Sequence, residues 1–213
     1  MSHTMHRRGT PENLSEDLIL FSMSAKEVNA KNSRHALKEF LEIVSKYGWV
    51  NTGDMKTGNY FLVGHETILE NVQDTSIVHV VFADKKDLIA AIGDLKKADL
   101  GVSVTVTGVF QNVWDALAEN DMKPHTVGMS LGVRGNTDLL PHYDLMEVTT
   151  MCGHGMVSQG LVRQSLMDIK RGKTTAEEAA KHLATPCVCG IFNPRRAAML
   201  LDELLDVWCM DNP

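Results

Sequence analysis

The sequence is poor in several features, and each shortage excludes a class of protein. Its formal net charge is -6, so it lacks the basic surface that sequence-general nucleic-acid binding needs. Its apolar runs, such as residues 77–83, are far shorter than the roughly 20 residues that span a bilayer. Arg7 and Arg8 precede no apolar stretch, so no secretory signal is predicted. We therefore expect a cytoplasmic protein that binds neither nucleic acid nor membrane.

Cysteine is also scarce, and its placement is uneven. The chain has four cysteines, all in its last third: Cys152, Cys187, Cys189 and Cys209. In a reducing compartment this clustering favours metal binding or redox chemistry over disulfide bonds. Cys209 taken alone is interpreted as a small buried hydrophobe. The other three cysteines are candidate metal ligands.

The first 140 residues predict a leader followed by an α/β domain. Residues 1–12 lack apolar periodicity and are expected to form a flexible leader. Residues 13–140 begin with an amphipathic helix over 33–47 and a short strand at 60–63. A βαβαβ unit with right-handed crossovers is then predicted. Its strands lie at 77–82, 102–106 and 125–133, and its helices at 85–97 and 109–120.

Residues 141–213 predict a small all-helical metal-binding domain. Helices are expected over 156–170, 176–183 and 194–208. Thr175, with Glu178 three residues later, forms a capping box for the second of them. Asn193 is a candidate N-cap of the third helix, with Pro194 at its first helical position. The fold class is therefore an α/β (α+β) N-terminal region followed by a cysteine-rich helical bundle.

Two glycine-bearing loops hold the cysteines at the starts of predicted helices. Residues 149–158 carry Cys152, and residues 186–194 carry Cys187 and Cys189. Unpaired N–H groups and the positive end of a helix dipole favour thiolate over thiol. Glycines beside the cysteines let backbone amides approach an anionic cluster, so they are candidate cofactor-binding residues. These glycines are Gly153, Gly155 and Gly190.

The segment 149–201 resembles the C-terminal helical [2Fe–2S] domain of the molybdenum hydroxylases, the xanthine and carbon monoxide dehydrogenase family. Cys152, followed in step by Gly155-Met156-Val157, matches the second cysteine of the first family loop. Cys187 and Cys189 match the Cys-x-Cys pair of the second loop. The first family cysteine falls on Thr149, so three of the four ligands carry over. The resemblance implies an iron–sulfur cluster held by these three thiolates.

Three thiolates leave the cluster type and the fourth ligand open. A [4Fe–4S] cluster could keep one iron free for substrate, and a [2Fe–2S] cluster is the alternative. His154 or Cys209 could complete the set, although a loop histidine such as His154 could instead cap backbone groups. Zinc is a further alternative, because Cys₃His is a common structural zinc set.

The remaining candidate side chains are weaker. Arg195 could bind an anionic substrate or offset the charge of a cluster. Arg195 and Arg196 are equally consistent with a solvated first helical turn, and this is the interpretation that we favour for both. His79, inside an apolar strand, is interpreted as a core histidine. No catalytic residue can be named from the sequence.

Three functions are consistent with these motifs. The first is an iron–sulfur enzyme or enzyme subunit, an oxidoreductase or lyase, whose open cluster faces a small-molecule substrate. The second is an electron-transfer subunit that serves a larger redox partner. The third is a zinc-stabilised or metal-free interaction module. The missing fourth cysteine favours the first function, because an open iron is reactive. Homo-oligomer formation stays open.

Overall fold

The computed structural model describes the backbone of residues 2–211 and the side chains of residues 3–207. The strands are β1 (Leu18–Met23), β2 (Trp49–Asp54), β3 (Gly58–Asn59), β4 (Ile77–Phe82) and β5 (Ser103–Thr107). The helices up to the end of the sheet region are α1 (Pro11–Leu14), α2 (Arg34–Val44), α3 (Tyr60–Val63), α4 (His65–Asn71), α5 (Lys85–Ala98) and α6 (Phe110–Glu119). The later helices are α7 (Tyr143–Thr149), α8 (Gln159–Lys170), α9 (Ala176–Ala184) and α10 (Pro194–Asp211).

The protein is a mixed α/β structure built on one five-stranded antiparallel sheet. The strand order is β3-β2-β4-β1-β5. Strands β1 and β2 both pair antiparallel with β4, which lies between them. Strand β1 likewise lies between β4 and β5. Each strand–helix–strand crossover therefore skips one position, which is the split βαβ arrangement of ferredoxin-like sheets.

The β4–α5–β5 part of the predicted βαβαβ unit is present, with β1 between its two strands, but the predicted last strand is wrong. Strands β4 and β5 do not pair with each other, because β1 occupies the position between them. Residues 125–133 form no strand. Their alternating apolar side chains Val127, Met129 and Leu131 are exposed, so the alternation has no core to face. Residues 60–63 form helix α3 instead of a strand, with Asn59 Oδ1 accepting a hydrogen bond from the Leu62 N–H.

The longer helices agree with the apolar spacing. Helices α2, α5, α6, α8, α9 and α10 lie within the predicted segments or end within three residues of them. Thr175 Oγ1 accepts a hydrogen bond from the Glu178 N–H at 3.3 Å, as the capping motif predicts. Asn193 Oδ1 accepts one from the Arg196 N–H at 3.0 Å. No helix in the described part of the chain is both long and apolar enough to cross a membrane.

The sheet separates two hydrophobic cores. On the face that we call the apolar face, Leu18, Leu20, Val80 and Phe82 pack with residues of α2, α5 and α6. On the opposite face, the cysteine face, Ile19, Phe21 and Val81 pack with residues of α7, α8, α9 and α10. The C-terminal helices thus share a core with the sheet. A separate all-helical domain, as predicted for residues 141–213, is not confirmed.

The N-terminal segment lies against the cysteine face. Thr4 is buried and its Oγ1 lies 3.0 Å from Thr107 Oγ1 on β5. The Arg8 N–H donates to Thr150 Oγ1, at the end of α7, at 2.9 Å. Residues 3–8 therefore bridge the sheet edge and the first cysteine loop. These contacts differ from the flexible leader that the sequence predicts for residues 1–12.

Candidate metal centre

The two cysteine loops meet on the cysteine face. Cys152 follows α7, whereas Cys187 and Cys189 lie between α9 and α10. All three side chains are buried, with at most 2% of their surface exposed. Cys152 and Cys187 lie close enough to shift each other's pKa, and so do Cys187 and Cys189. The structure therefore brings together the three cysteines that the sequence singles out.

Backbone N–H groups surround the three sulfur atoms. The amides of His154 and Met156 bond to the sulfur of Cys152. The amide of Phe192 bonds to Cys187, and that of Ile191 bonds to Cys189. Donors of this kind stabilise thiolates, because they replace the water that burial removes. These amides lower the pKa values of the thiols and act against the burial that raises them.

The three thiols differ in acidity. The hydrogen bond from Cys152 to Cys187, together with burial, raises the pKa of Cys152. The bond from Cys152 lowers the pKa of Cys187, but its own bond to Cys189 and burial outweigh that effect and raise the pKa to about 12. The bond from Cys187 lowers the pKa of Cys189, so this residue becomes a thiolate first. A soft cation that replaces the two shared protons would relieve both raised values.

The second cysteine loop crosses directly over strand β2. Gly190 has φ +78°, and a Cβ there would lie 2.5 Å from the carbonyl group of Thr52. A Cβ on Gly53 would lie 2.7 Å from the Cys189 carbonyl oxygen. Glycine is therefore required on both sides of this contact. The first loop makes an equally close contact, because Gly153 packs against the backbone of His3. Gly155 has φ +69° and faces open space.

Two asparagines that sequence reasoning missed hold the second loop. Asn59 Nδ2 donates to the Thr185 and Cys187 carbonyls at 2.9 and 3.0 Å. Asn51 Nδ2 donates to the Phe192 carbonyl at 2.8 Å. Both asparagines are fully buried. Polar residues in β2 and β3 are the only local signal that could have indicated them.

A buried charge network anchors the start of α10 behind the cysteines. Asp17 Oδ2 lies 2.6 Å from Arg7 Nη1 and 3.2 Å from Arg196 Nη1. Arg7 Nη2 also donates to the Ile191 carbonyl, beside Cys189. Arg196 is fully buried, so its assignment to solvated surface is wrong. Arg195 does lie at the surface, half exposed, with its Nη1 3.1 Å from Asp84 Oδ2.

Three histidines form a cluster that reaches the first cysteine loop. His154 Nδ1 is 3.7 Å from Cys189 Sγ, and the His154 ring stacks on that of His3 at 4.8 Å. His3 Nε2 lies 3.1 Å from His79 Nε2 on β4. Burial and the nearby His154 lower the pKa of His3 to about 4, and burial lowers that of His79 well below its usual value. His79 is a core residue, as the sequence indicates, and its ring contacts His3 and Phe21.

A cavity opens next to Cys152. Its volume is about 310 Å³, which suits a small molecule. Its walls include Thr149, Thr150, Cys152 and Gln159, with His6 from the N-terminal segment. The walls carry hydroxyl, amide and imidazole groups but no carboxylate. A small polar compound could therefore lie against the first cysteine loop.

The donor atoms fit a soft metal or a cluster better than a hard cation. Three buried sulfurs with amide donors form the ligand type that iron–sulfur centres and zinc prefer. Among the residues with described side chains, no group of three or more His, Cys, Asp or Glu is arranged to hold a metal ion. Cys209, a predicted alternative ligand, lies outside the described side chains.

No family model, curated protein or solved structure matches this chain. The resemblance of residues 149–201 to the molybdenum hydroxylases therefore stays a prediction, carried by the loop residues themselves.

Proposed function

We propose that this protein binds an iron–sulfur cluster through Cys152, Cys187 and Cys189. The observation that carries the proposal is the convergence of three buried thiols from two loops. Without a metal, two protons are shared among the three buried sulfur atoms, and the pKa values of Cys152 and Cys187 are raised. A bound cluster would take the place of those protons.

The surrounding backbone supports the same proposal. At least four amides bond to the three sulfurs, those of His154, Met156, Ile191 and Phe192. Hydrogen bonds to sulfur tune the reduction potential of iron–sulfur clusters. Close glycine contacts with Thr52 and His3 fix the backbone of both loops that carry the cysteines.

An enzymatic role is the form of this function that we favour. When bound, the cluster supplies electron transfer or, at an iron without a cysteine ligand, a Lewis acid. The cavity of about 310 Å³ beside Cys152 gives a small substrate access to the first loop. His6 and Gln159 on its walls would orient polar groups of that substrate by hydrogen bonding. An electron-transfer subunit would need no such cavity.

A zinc-stabilised module is the second candidate, and one distance favours it. Around a tetrahedral zinc with bond lengths of about 2.0 Å to nitrogen and about 2.3 Å to sulfur, these two atoms lie about 3.5 Å apart. His154 Nδ1 and Cys189 Sγ are 3.7 Å apart. In this alternative His154 is the fourth ligand and the centre has a structural role.

Anaerobic purification separates these candidates. Iron with acid-labile sulfide in a brown protein supports the cluster, whereas stoichiometric zinc in a colourless protein supports the second candidate. A small polar compound that changes the visible spectrum of the cluster would indicate the enzymatic form. A cluster whose spectrum no such compound alters would favour electron transfer.

The ligand set is tested by Cys187→Ser with Val188→Ala as its matched control. Cys187 is fully buried, whereas Val188 is 37% exposed between the two cysteines. We expect Cys187→Ser to lose all bound iron and Val188→Ala to keep it. Full retention of iron in Cys187→Ser would falsify the ligand assignment.

A further inference from the structure

A second cavity opens where the N-terminal segment meets the turn between β5 and α6. Its volume is about 270 Å³, and it shares no wall residue with the cavity beside Cys152. Its walls include Thr4 and Arg7 from the N-terminal segment, and Thr107 and Gly108 from the turn. The cavity is therefore a candidate binding site in its own right.

Arg7 brings an unused hydrogen-bond donor to this cavity. Its side chain is only 5% exposed. Its Nη1 is 2.6 Å from Asp17 Oδ2, and its Nη2 donates to the Ile191 carbonyl. Its Nε is buried and has no hydrogen-bond partner among the described residues. A buried N–H of a charged group without a partner costs free energy, so a ligand that supplies an acceptor would be stabilised there.

Asp17 is the only carboxylate among the described wall residues, and both of its oxygens are engaged. Its Oδ2 is shared by the Nη1 atoms of Arg7 and Arg196, at 2.6 and 3.2 Å. Its Oδ1 lies 3.2 Å from Asn193 Nδ2. The charged group that remains available to a ligand is therefore the Arg7 donor, and this favours an anion.

The start of α6 adds backbone donors to the same cavity. Helix α6 has ten residues with Val109 as its N-cap, and no described side chain caps it. The first N–H groups of a helix have no acceptor within the helix, and the positive end of its dipole attracts anions. Gly108, Val109 and Phe110 all line the cavity, so this helix start and the Arg7 side chain share one site.

Hydroxyl groups and apolar side chains complete the walls. Thr4 is buried, and its Oγ1 lies 3.0 Å from Thr107 Oγ1. One of these hydroxyls donates to the other, which leaves the second hydroxyl hydrogen for a ligand. Met5, Leu14 and Met129 add apolar surface. The walls therefore match a ligand with an anionic oxygen group and an apolar body.

We propose that this cavity binds a small organic anion, whose carboxylate or phosphate oxygens accept hydrogen bonds from Arg7 Nε and from the first amides of α6. The volume lies just below the range of roughly 300–1,000 Å³ that is typical of pockets for drug-sized ligands, so the ligand is small. The inference goes beyond the proposed cluster function and does not depend on it, because none of the cysteines with described side chains lines this cavity.

The experiment titrates the full-length protein with benzoate, phenyl phosphate and uncharged benzamide. Amide signals of ¹⁵N-labelled protein in NMR spectra give both the affinity and the place of binding. We expect at least one of the two anions to shift the signals of residues 108–112. Benzamide keeps the shape of benzoate without its charge, and it should bind at least about tenfold more weakly than that anion. The tighter of the two anions identifies the preferred head group.

Arg7→Lys tests the side-chain donor. Lysine keeps a positive charge beside Asp17 but lacks the Nε donor, so anion binding should weaken about tenfold. Arg8→Lys is the matched control, because Arg8 is the next residue in the same segment and does not line the cavity. It should bind the anion as the wild type does.

Phe110→Pro tests the helix start independently of Arg7. Phe110 is the first residue of α6, a position at which proline is accepted although it lacks an N–H. Phe110→Ala is its control, since it loses the same ring but keeps the amide. Anion binding should be several-fold weaker in Phe110→Pro than in Phe110→Ala.

Three results would overturn the proposal. The first is a wild-type protein that binds neither anion at millimolar concentration, or binds benzamide equally well. The second is a set of shifted signals confined to residues 149–159, around the other cavity. The third is equal affinity within both pairs of variants. Iron uptake is measured separately, so each of these results would leave the proposed cluster function unaffected.

Discussion

The two faces of the sheet are both buried, but by different kinds of residue. On the apolar face, two buried hydroxyl groups donate hydrogen bonds to the backbone of adjacent strands. Ser22 donates to the Ser103 carbonyl, and Thr52 donates to the His79 carbonyl. On the cysteine face, three thiols and the Arg7–Asp17–Arg196 network are buried together. Burying charges and thiols costs more free energy than burying hydrocarbon. Both faces carry a hydrophobic core, and they differ in the thiols and paired arginines that the cysteine face buries in addition.

Removing the charge at the centre of the polar network tests the cysteine face most severely. Asp17→Asn would leave the guanidinium groups of Arg7 and Arg196 buried without a counter-charge. We expect a loss of about 3–5 kcal/mol in the free energy of unfolding, measured by urea titration. Asp84→Asn is the control, since its partner Arg195 is half exposed, and it should cost under about 1 kcal/mol. Similar losses in the two variants would mean that the network is not effectively buried.

A cavity on the apolar face should affect stability and leave the site unchanged. Phe40 on α2 is fully buried in the core of that face. Phe40→Ala should lower the free energy of unfolding by about 3–5 kcal/mol. Iron bound per folded molecule should equal that of the wild type, because the sheet separates Phe40 from the cysteines. A variant that is stable enough to purify but lacks iron would show that the two faces are coupled.

Substitutions of two glycines with positive φ on the cysteine face distinguish the cost of backbone strain from the cost of steric crowding. Gly155 faces open space, so Gly155→Ala should cost only the left-handed strain of about 1–2 kcal/mol. Gly190 meets the backbone of Thr52 and Gly53, so Gly190→Ala should cost about 2–5 kcal/mol. It should also displace Cys189 and reduce iron binding. Thermal unfolding and iron content measure the two effects, and equal results for both variants would contradict the close crossing.

The smallest expected effect lies at the edge of the apolar face, where Tyr47 donates to Asp94 Oδ2. This hydrogen bond is the main cause that raises the pKa of Tyr47 to about 12. The pKa of tyrosine in the unfolded chain is about 10. The contribution of this hydrogen bond to stability is therefore complete below pH 10 and is lost as the pH rises towards 12. Tyr47→Phe should cost about 0.5–1.5 kcal/mol at neutral pH.

Tyrosinate absorbance measures that shift directly. In the wild type part of the tyrosinate absorbance should appear only near pH 12, and Tyr47→Phe should lack this late step. Asp94→Asn should shift the step to lower pH. A wild-type titration without this late step would contradict the bond to Asp94.

The sequence indicated the local parts of this molecule more reliably than their arrangement. The spacing of Leu37, Phe40, Leu41 and Val44 predicted α2, because a helical period of 3.6 residues is visible in one segment. Strand β1 gave no such signal, since Leu18–Met23 is buried on both faces and shows no alternation. Residues 125–133 show the opposite case: their apolar alternation predicted a strand, but they form none.

The same division applies to the candidate site. Cys152, Cys187 and Cys189 were recognisable, because a thiol beside a glycine and a helix start has a chemical meaning in a short window. His3, Asn51 and Arg196 were missed or misassigned, since their partners are 76, 141 and 179 residues away in the chain. A pattern within a short window of sequence cannot predict contacts between residues this far apart in the chain.

The sequence by itself determined the longer helices, the two cysteine loops and the absence of long apolar runs. These properties depend on residues a few positions apart, whose backbone preferences and side-chain periods act locally. Only the tertiary structure decided the order β3-β2-β4-β1-β5, the burial of Arg196 and the position of His3 against the first cysteine loop. Those features depend on which distant segments exclude water together, and that choice is made by packing the whole chain at once.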